Sequence, residues 1–271
     1  MLPDFEDQLL DDDGPIEYEH LFKKYLPKNK PDSAPDQMRE KLRDPNFLPT
    51  REQIAGAFVS REEWFRFCFD ESNQVFEFLN EEYLNALADY FFTRIVECGA
   101  SPEKPLTILE IGAGNGKLSH FLRKKLEERA PSLVNVIATD SGEWTLQSAF
   151  PTEQLRHDEA LLKYKPDIVI FSWMPYQKDA TKDIRKVESV QEYILIGETD
   201  GGCCGDEWVT WGFDSYSYDD EKKRTGEPPF IEDGFIRENH DDLSDLQICR
   251  TDQLGYYTHS RTVSFKRKRK T

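Results

Sequence analysis

Leu106-Thr107-Ile108-Leu109-Glu110-Ile111 leads directly into Gly112-Ala113-Gly114-Asn115-Gly116-Lys117-Leu118. The apolar run predicts a buried strand, and the apolar side chains that recur after it at helical spacing predict a helix. The three glycines between them indicate a tight turn, because glycine lets the backbone turn sharply and approach a bound molecule closely. The following helix would present free N–H groups and the positive end of its dipole to this turn. The stretch therefore predicts a strand–turn–helix unit of an α/β fold.

Three glycine patterns compete for this turn. A phosphate-binding P-loop requires Gly-x-x-x-x-Gly-Lys-[Ser/Thr], but Ile111 stands at the first glycine position and Leu118 at the hydroxyl position. A dinucleotide motif requires Gly-x-Gly-x-x-Gly, and Lys117 occupies its third glycine position. The pattern acidic-x-Gly-x-Gly-x-Gly fits at every position, from Glu110 to Gly116.

That pattern resembles the first motif of the class I S-adenosylmethionine-dependent methyltransferases. The resemblance implies that S-adenosylmethionine is the cofactor, contacted by Glu110, Gly112, Ala113, Gly114 and Gly116. A carboxylate at the strand end can balance the positive charge of this donor, which carries no pyrophosphate. A glycine-rich turn without a ligand is the alternative.

A second short strand, Val134 to Asp140, also ends in an acid. The resemblance assigns Asp140 to the ribose hydroxyls of the donor, with Ser141 beside it, and Asp158 in His157–Ala160 to the neighbourhood of the adenine. The short distance between Asp140 and Asp158 predicts a compressed second helix and third strand.

Lys165 to Phe171 is a continuous apolar run and predicts a strand buried on both faces. Ligands of open α/β sheets bind beyond the carboxyl ends of strands. We therefore expect Ser172 and Trp173 to contact the donor. Trp173, Pro175 and Tyr176 are expected to contact the acceptor.

Some nitrogen-directed family members carry Asn-Pro-Pro-Tyr at this position. This chain has Trp173-Met174 in place of Asn-Pro, which argues against methylation of adenine or glutamine. Core packing is the alternative role for Trp173 and Tyr176.

A fifth strand is predicted at Tyr193 to Glu198, and a C-terminal antiparallel hairpin at Leu246–Arg250 and Arg261–Phe265, connected through Gly255. The resemblance extends over residues 80 to 268. It implies an α/β fold with a Rossmann-like, seven-stranded, mostly parallel sheet, helices on both faces and an N-terminal helical extension.

Four segments are predicted along the chain. Residues 1–50 form an acidic, proline-punctuated extension with one short helix at Glu17–Tyr25 and otherwise irregular structure. Residues 51–100 form a helical cover, with a capping box at Ser60, a cap at Asn80 and a stop at Gly99. Residues 101–268 form the donor-binding domain, and residues 266–271 a basic tail.

The composition restricts the function classes. The net charge of −17 argues against a nucleic-acid surface, apart from the basic tail, and favours amines or basic proteins as substrates. No run of about 18 apolar residues predicts a membrane span, and the acidic start is unlike a secretory or mitochondrial signal. Five cysteines without metal-ligand spacing indicate reduced thiols and no metal site. We expect a cytoplasmic or nuclear protein.

The chain is therefore predicted to be a methyltransferase acting on an amine or a basic protein side chain. Tyr176 and Glu198 are the candidate catalytic residues, with His157 as a further candidate base. The segment from Asp206 to His240 mixes aromatic and acidic residues, which suits a cationic substrate, and Trp208 and Trp211 are its candidate contacts. A non-catalytic donor-binding module, a nucleotide-dependent oxidoreductase and an RNA-directed methyltransferase remain open.

Overall fold

The computed structural model describes residues 34–70, 75–143, 148–214, 226–253 and 259–268. The predicted helix at Glu17–Tyr25, the turn at Gly255 and the last three residues of the basic tail lie outside these ranges. The strands are β1 Leu106–Ile111, β2 Val134–Asp140, β3 Glu153–Gln154, β4 Ile168–Ser172, β5 Glu192–Glu198, β6 Phe235–Asn239 and β7 Ser260–Arg267. The helices are α1 Ala34–Arg43, α2 Arg51–Gly56, α3 Arg61–Cys68, α4 Glu81–Glu97, α5 Lys117–Arg129, α6 His157–Tyr164, α7 Thr181–Lys186, α8 Pro229–Glu232 and α9 Asp241–Ser244.

The strands form one seven-stranded sheet in the order β3-β2-β1-β4-β5-β7-β6. β1 to β5 pair in parallel, whereas β7 runs antiparallel to both β5 and β6. This seven-stranded, mostly parallel sheet with an antiparallel hairpin at its C-terminal end confirms the predicted fold class. The chain order reverses between β1 and β4, so the carboxyl ends of these strands flank the crevice in which such sheets bind ligands.

The predicted hairpin is wrong in one of its two strands. The partner of β7 is β6, Phe235–Asn239, inside the segment expected to be a loop. Leu246–Arg250 instead lies against the N-terminal segment: Phe78 N donates to Ile248 O at 2.8 Å, and Arg250 N donates to Phe76 O at 3.1 Å. We call residues 76–78 and 248–250 the cross-ribbon. It joins the N-terminal cover to the end of the chain.

Apolar side chains fill both faces of the sheet. On one face, Leu87 and Phe91 of α4 and Leu122 of α5 pack against β1 and β4. On the other face, Leu161 of α6 and Ile184 of α7 pack against β4 and β5. The helices therefore cover both faces of the sheet, as predicted.

The N-terminal cover has its own apolar cluster of Ile54, Trp64, Phe67, Cys68 and Phe78. Its helices begin where the sequence predicts: the side chain of Ser60 accepts from Glu63 N at 3.2 Å, and the side chain of Asn80 accepts from Tyr83 N at 2.8 Å.

The region before residue 51 was expected to be irregular beyond one short helix, but it contains α1. Arg39 of this helix contacts the carboxylate of Glu63 at 2.9 Å.

The basic tail begins later than predicted, because Lys266 and Arg267 belong to β7. Lys266 forms an ion pair with Glu238 at 2.6 Å, and Arg267 Nε donates to Val190 O at 2.7 Å. Over the described ranges, the chain has no helix that is long and apolar enough to cross a membrane.

Between β2 and α6 the connection is compressed, as predicted. β3 has two residues, and residues 141–143 and 148–152 contain no helix.

Candidate active site

The glycine turn after β1 requires its glycines. The backbone has φ angles of 62°, 54° and 76° at Gly112, Gly114 and Gly116. Residues with a Cβ atom rarely adopt these angles. A Cβ atom on Gly112 would also lie 2.5 Å from the ring of Phe171, which belongs to the neighbouring strand β4. The glycines therefore let the turn pack closely against its neighbours at the reversal point of the sheet.

Glu110 acts as a cap for the helix that follows the turn. The N-cap residue of α5 is Gly116, which has no side chain to accept a hydrogen bond. Glu110 Oε2 accepts instead from Ser119 N at 3.1 Å and from Ser119 Oγ at 2.5 Å. Burial raises the pKa of Glu110 to about 7, and the two hydrogen bonds from Ser119 oppose that rise.

Asp140, at the end of β2, connects two turns. Its Oδ2 accepts from Gly114 N at 2.9 Å and its Oδ1 accepts from Gly142 N at 2.8 Å. The hydroxyl of Ser141 accepts from Glu143 N at 3.2 Å. The structure thus brings the glycine turn and the acid of the second strand together at one edge of the sheet.

Asp158 lies apart from this pair, in the first turn of α6. It is half-exposed, with an ion pair to Arg156 at 3.3 Å. Its carboxylate pKa is lowered, because hydrogen bonds and the Arg156 charge outweigh desolvation. Its assignment to the adenine stays a prediction.

The end of β4 is held by two bonds from Trp173. Its backbone N donates to Ile196 O at 2.7 Å, and its indole Nε1 donates to Glu77 Oε2 at 2.8 Å. Trp173 also has a φ of 55°, uncommon for a bulky residue. Ser172 and Trp173 are only partly buried, so both remain accessible for the predicted contacts with ligand.

Glu77 was missed by the sequence analysis. It lies in the cross-ribbon and accepts hydrogen bonds from Trp173, from Gln247 Nε2 at 2.7 Å and from Ser260 Oγ at 2.7 Å. Burial raises its pKa and the three hydrogen bonds oppose the rise. The sequence does mark this residue, because Glu77 is the one acid within the apolar run Val75-Phe76-Glu77-Phe78-Leu79. An acid in such a run indicates a buried carboxylate with hydrogen-bond partners.

The two candidate catalytic residues differ in exposure. Glu198, at the end of β5, is 3% exposed; its Oε2 accepts from Cys203 N at 3.1 Å and its Oε1 from the hydroxyl of Thr251. Tyr176 is 40% exposed and follows Pro175 in the turn after β4. The further candidate base, His157, lies 3.2 Å from Asp183 of α7.

Trp211, a predicted substrate contact, is buried in the core. It is 2% exposed, its indole Nε1 donates to Cys204 O at 2.6 Å, and it packs with Phe265 in the core. The aromatic spacing of this segment therefore serves packing at Trp211. Trp208 is partly buried, and its role stays a prediction.

Among the residues that the structure describes, no three His, Cys, Asp or Glu side chains cluster as a metal site. The five cysteines are free, and the adjacent pair Cys203-Cys204 lies in the turn-rich loop after β5, with Cys204 buried against Gly197.

No protein-family model matches the chain, and no curated protein matches it. Solved structures similar to the chain include the CMeT domain of the citrinin polyketide synthase (14% identity, TM-score 0.40, 92% of this chain and 68% of that one). They also include the plantazolicin methyltransferase BpumL in complex with a triazolic desmethylPZN analog and SAH (9%, 0.37, 86% and 98%). A third is a putative S-adenosylmethionine-dependent methyltransferase from Listeria monocytogenes (12%, 0.36, 68% and 99%). At these values the similarity does not decide which donor or acceptor this chain uses.

Proposed function

We propose that this chain is an S-adenosylmethionine-dependent methyltransferase. The observation that carries the proposal is the junction of the glycine turn and Asp140 at the reversal point of the sheet, where Gly114 N donates to Asp140 Oδ2 at 2.9 Å. Because a carboxylate accepts several hydrogen bonds, Asp140 could also accept hydrogen bonds from the hydroxyl groups of a ligand. The turn lacks the spacing of a pyrophosphate-binding motif, which favours a donor without pyrophosphate over a dinucleotide.

The residues proposed to hold the donor follow from this position. Asp140 and Ser141 would bind its ribose hydroxyls, and the backbone of the glycine turn from Gly112 to Gly116 would lie against its amino-acid part. Glu110 would support the turn through α5 and contribute negative charge beneath a cationic donor. When bound, the donor supplies an electrophilic methyl group that needs no metal.

We further propose that the acceptor is an amine, either a small molecule or a basic protein side chain. A cavity of about 290 Å³ lies at the start of β7, and its lining includes Asp241, Asp245 and Asp252 together with His259 and Arg261. Gln247 and Ser260 also line it, and both donate to Glu77, which accepts from Trp173. Three carboxylates outnumber the single arginine of this lining, and together with the net charge of −17 they favour a cationic molecule.

The proposed roles at the acceptor side divide by exposure. Trp173, Pro175, Tyr176 and Trp208 would form walls that position the acceptor and exclude water. Tyr176 can contact the acceptor directly because its side chain is accessible. Glu198 would act by fixing the loop after β5. Glu77 is a candidate base, because it contacts Trp173 of the proposed acceptor wall and burial raises its pKa above the usual range of a carboxyl.

The test measures donor binding by calorimetry and transfer of a radiolabelled methyl group from S-adenosylmethionine. The acceptors are primary amines, a lysine-rich peptide, hydroxyl and carboxylate compounds, and an RNA. We expect transfer by the wild type and none by Gly114→Arg. Donor binding without transfer to any amine, hydroxyl or carboxylate acceptor would instead indicate a non-catalytic binding module. Transfer only to RNA would contradict the amine assignment.

A further inference from the structure

Arg250, in the cross-ribbon, has its guanidinium group among three aromatic rings. Its Cζ atom lies 4.5 Å from the ring centre of Phe76, 5.2 Å from that of Phe69 and 5.5 Å from that of Trp173. The backbone of Arg250 is fixed by its bond to Phe76 O and by the indole of Trp64, which donates to Arg250 O at 2.7 Å. We call Arg250, Phe69, Phe76 and Trp173 the arginine cage.

Among the residues that the structure describes, the cation in this cage has no anionic partner. Its Nε is buried without a hydrogen-bond partner, and within the described ranges no carboxylate forms an ion pair with Arg250. The nearby Asp252 is engaged elsewhere: its Oδ2 accepts from Cys249 N at 2.9 Å, and its Oδ1 lies 3.2 Å from the ring of His259. Ring faces attract a cation, but they do not replace the hydrogen bonds that a desolvated guanidinium loses.

Part of the cage is accessible to solvent. Phe69 is 49% exposed, and Trp173 is only partly buried. Arg250 is itself only partly buried, so a ligand group can reach the part of its side chain that solvent reaches.

The cage also has a defined place relative to the sheet. Trp173 directly follows β4, on the opposite side of the reversal point from β2 and Asp140. A molecule bound at Arg250 would therefore reach the crevice from the side of β4. The glycine turn, which is proposed to bind the donor, lies on the side of β1.

We propose that Arg250 binds an acidic group, a carboxylate or a phosphate, on the methyl acceptor. The planar guanidinium fork matches both groups and pairs with them bidentately. This inference rests on the proposed function, and it narrows the substrate class: the acceptor combines a nucleophilic amine, suited to the acidic cavity, with an acidic group held in the arginine cage. The neighbouring rings favour acceptors with a flat apolar part next to the acid.

The test measures binding of three small probes by ¹⁹F NMR at physiological ionic strength: para-fluorobenzoate, para-fluorophenyl phosphate and the neutral para-fluorobenzamide. Each is titrated with and without S-adenosylhomocysteine. The variants are Arg250→Gln, which removes the charge, and Arg250→Lys, which keeps the charge but loses the fork. Arg61→Gln is the matched control, because Arg61 also lies over an aromatic ring of the cover, 5.5 Å from that of Phe65, and is not part of the arginine cage.

We expect at least one anion to bind more tightly than the amide. Its affinity should fall on the order of tenfold to a hundredfold in Arg250→Gln, the scale of hydrogen bonds to charged groups, with an intermediate loss in Arg250→Lys. Preference for the benzoate or for the phosphate tells which acid the cage takes. Arg61→Gln should bind the anions as the wild type does.

Three results would overturn the inference: equal binding of anions and amide, an equal loss in Arg61→Gln, or a tenfold loss of S-adenosylhomocysteine affinity in Arg250→Gln. The last would mean that Arg250 holds the carboxylate of the donor. Failure of the wild type to bind S-adenosylhomocysteine would count against the proposed function, and the anion titrations without it would still test the cage.

Discussion

Glu110 shows how a single residue can serve both the fold and the site. Helix α5 starts at a glycine, so its first turn has no side-chain cap from the N-cap position. The last turn of β1 supplies the missing acceptor through Glu110, which is 2% exposed. The acid of the sequence motif is therefore required structurally at the place where the proposed donor would bind.

The raised pKa of Glu110 predicts a pH-dependent stability. A carboxyl whose pKa rises from 4.5 to about 7 on folding binds protons more tightly in the folded state. Its contribution is fully present below pH 4.5 and is lost as the pH rises through 7. The shift corresponds to roughly 3 kcal/mol. The free energy of unfolding of Glu110→Gln minus that of the wild type should therefore increase by about this amount between pH 4.5 and 8, measured by urea unfolding. A flat difference would contradict the burial-driven shift.

Removing the carboxylate of Asp140 should weaken donor binding. Asp140→Ala removes the proposed acceptor for the ribose hydroxyls and the bonds to Gly114 and Gly142. We expect the affinity for S-adenosylhomocysteine to fall on the order of tenfold to a hundredfold, as for other hydrogen bonds to charged groups. Calorimetric titration measures it, with Glu143→Ala as the control for a nearby exposed acid. Equal affinities in the two variants would remove Asp140 from the site.

At the scale of elements, two helix caps with different surroundings should differ in energy. Asn80 caps α4, is fully buried and also donates to Leu246 O at 2.9 Å, whereas Ser60 caps α3 at the surface. Since a lost cap costs about 0.5–2 kcal/mol, we expect Asn80→Ala at or above the upper end and Ser60→Ala near the lower end. Urea unfolding of both variants checks the order. The reverse order would mean that Asn80 contributes little to docking α4 against the end of the chain.

The helical cover is also fixed to the sheet by a buried ion pair. Arg94 Nε of α4 lies 2.6 Å from Glu192 Oε2 of β5, and the Glu192 side chain is fully buried. Arg94→Met would leave that carboxylate without its cation, at a cost of about 3–5 kcal/mol. The control is Arg129→Met, because Arg129 pairs at 2.8 Å with Asp89, whose side chain is 70% exposed; it should cost below about 1 kcal/mol. Similar losses of unfolding free energy in both variants would show that burial is not decisive here.

The elements that the sequence predicted correctly are those with continuous apolar runs. β1, β4 and β5 are buried on both faces, and their runs of Ile, Leu and Val leave few alternatives. β6 was missed because Phe235–Asn239 is an edge strand with a single buried residue, Phe235. Leu246–Arg250 has the alternation of a strand, but its partner is the short segment 76–78, which local pattern cannot reveal.

For the molecule as a whole, the meeting of the glycine turn with Asp140 was predictable, and the contacts around Trp173 were not. The glycine turn and Asp140 follow from spacing within two strand–turn units. The arginine cage and the Glu77 network join residues about 170 positions apart in the chain, such as Glu77 and Gln247. Only the fold brings them to Trp173. Trp211 is the opposite case. The aromatic and acidic composition of its segment suggested a binding surface, but the fold buries Trp211 against Phe265 of β7.

The most direct test of the central claim is calorimetric titration of the full chain with S-adenosylmethionine and S-adenosylhomocysteine. Gly114→Arg is the test variant, and Gly99→Arg is the control, because Gly99 has a similar φ of 64° with open space around its Cβ position. The account predicts that the wild type and Gly99→Arg bind both ligands and that Gly114→Arg does not. Absence of binding to the wild type at millimolar ligand, or unchanged binding by Gly114→Arg, would contradict it.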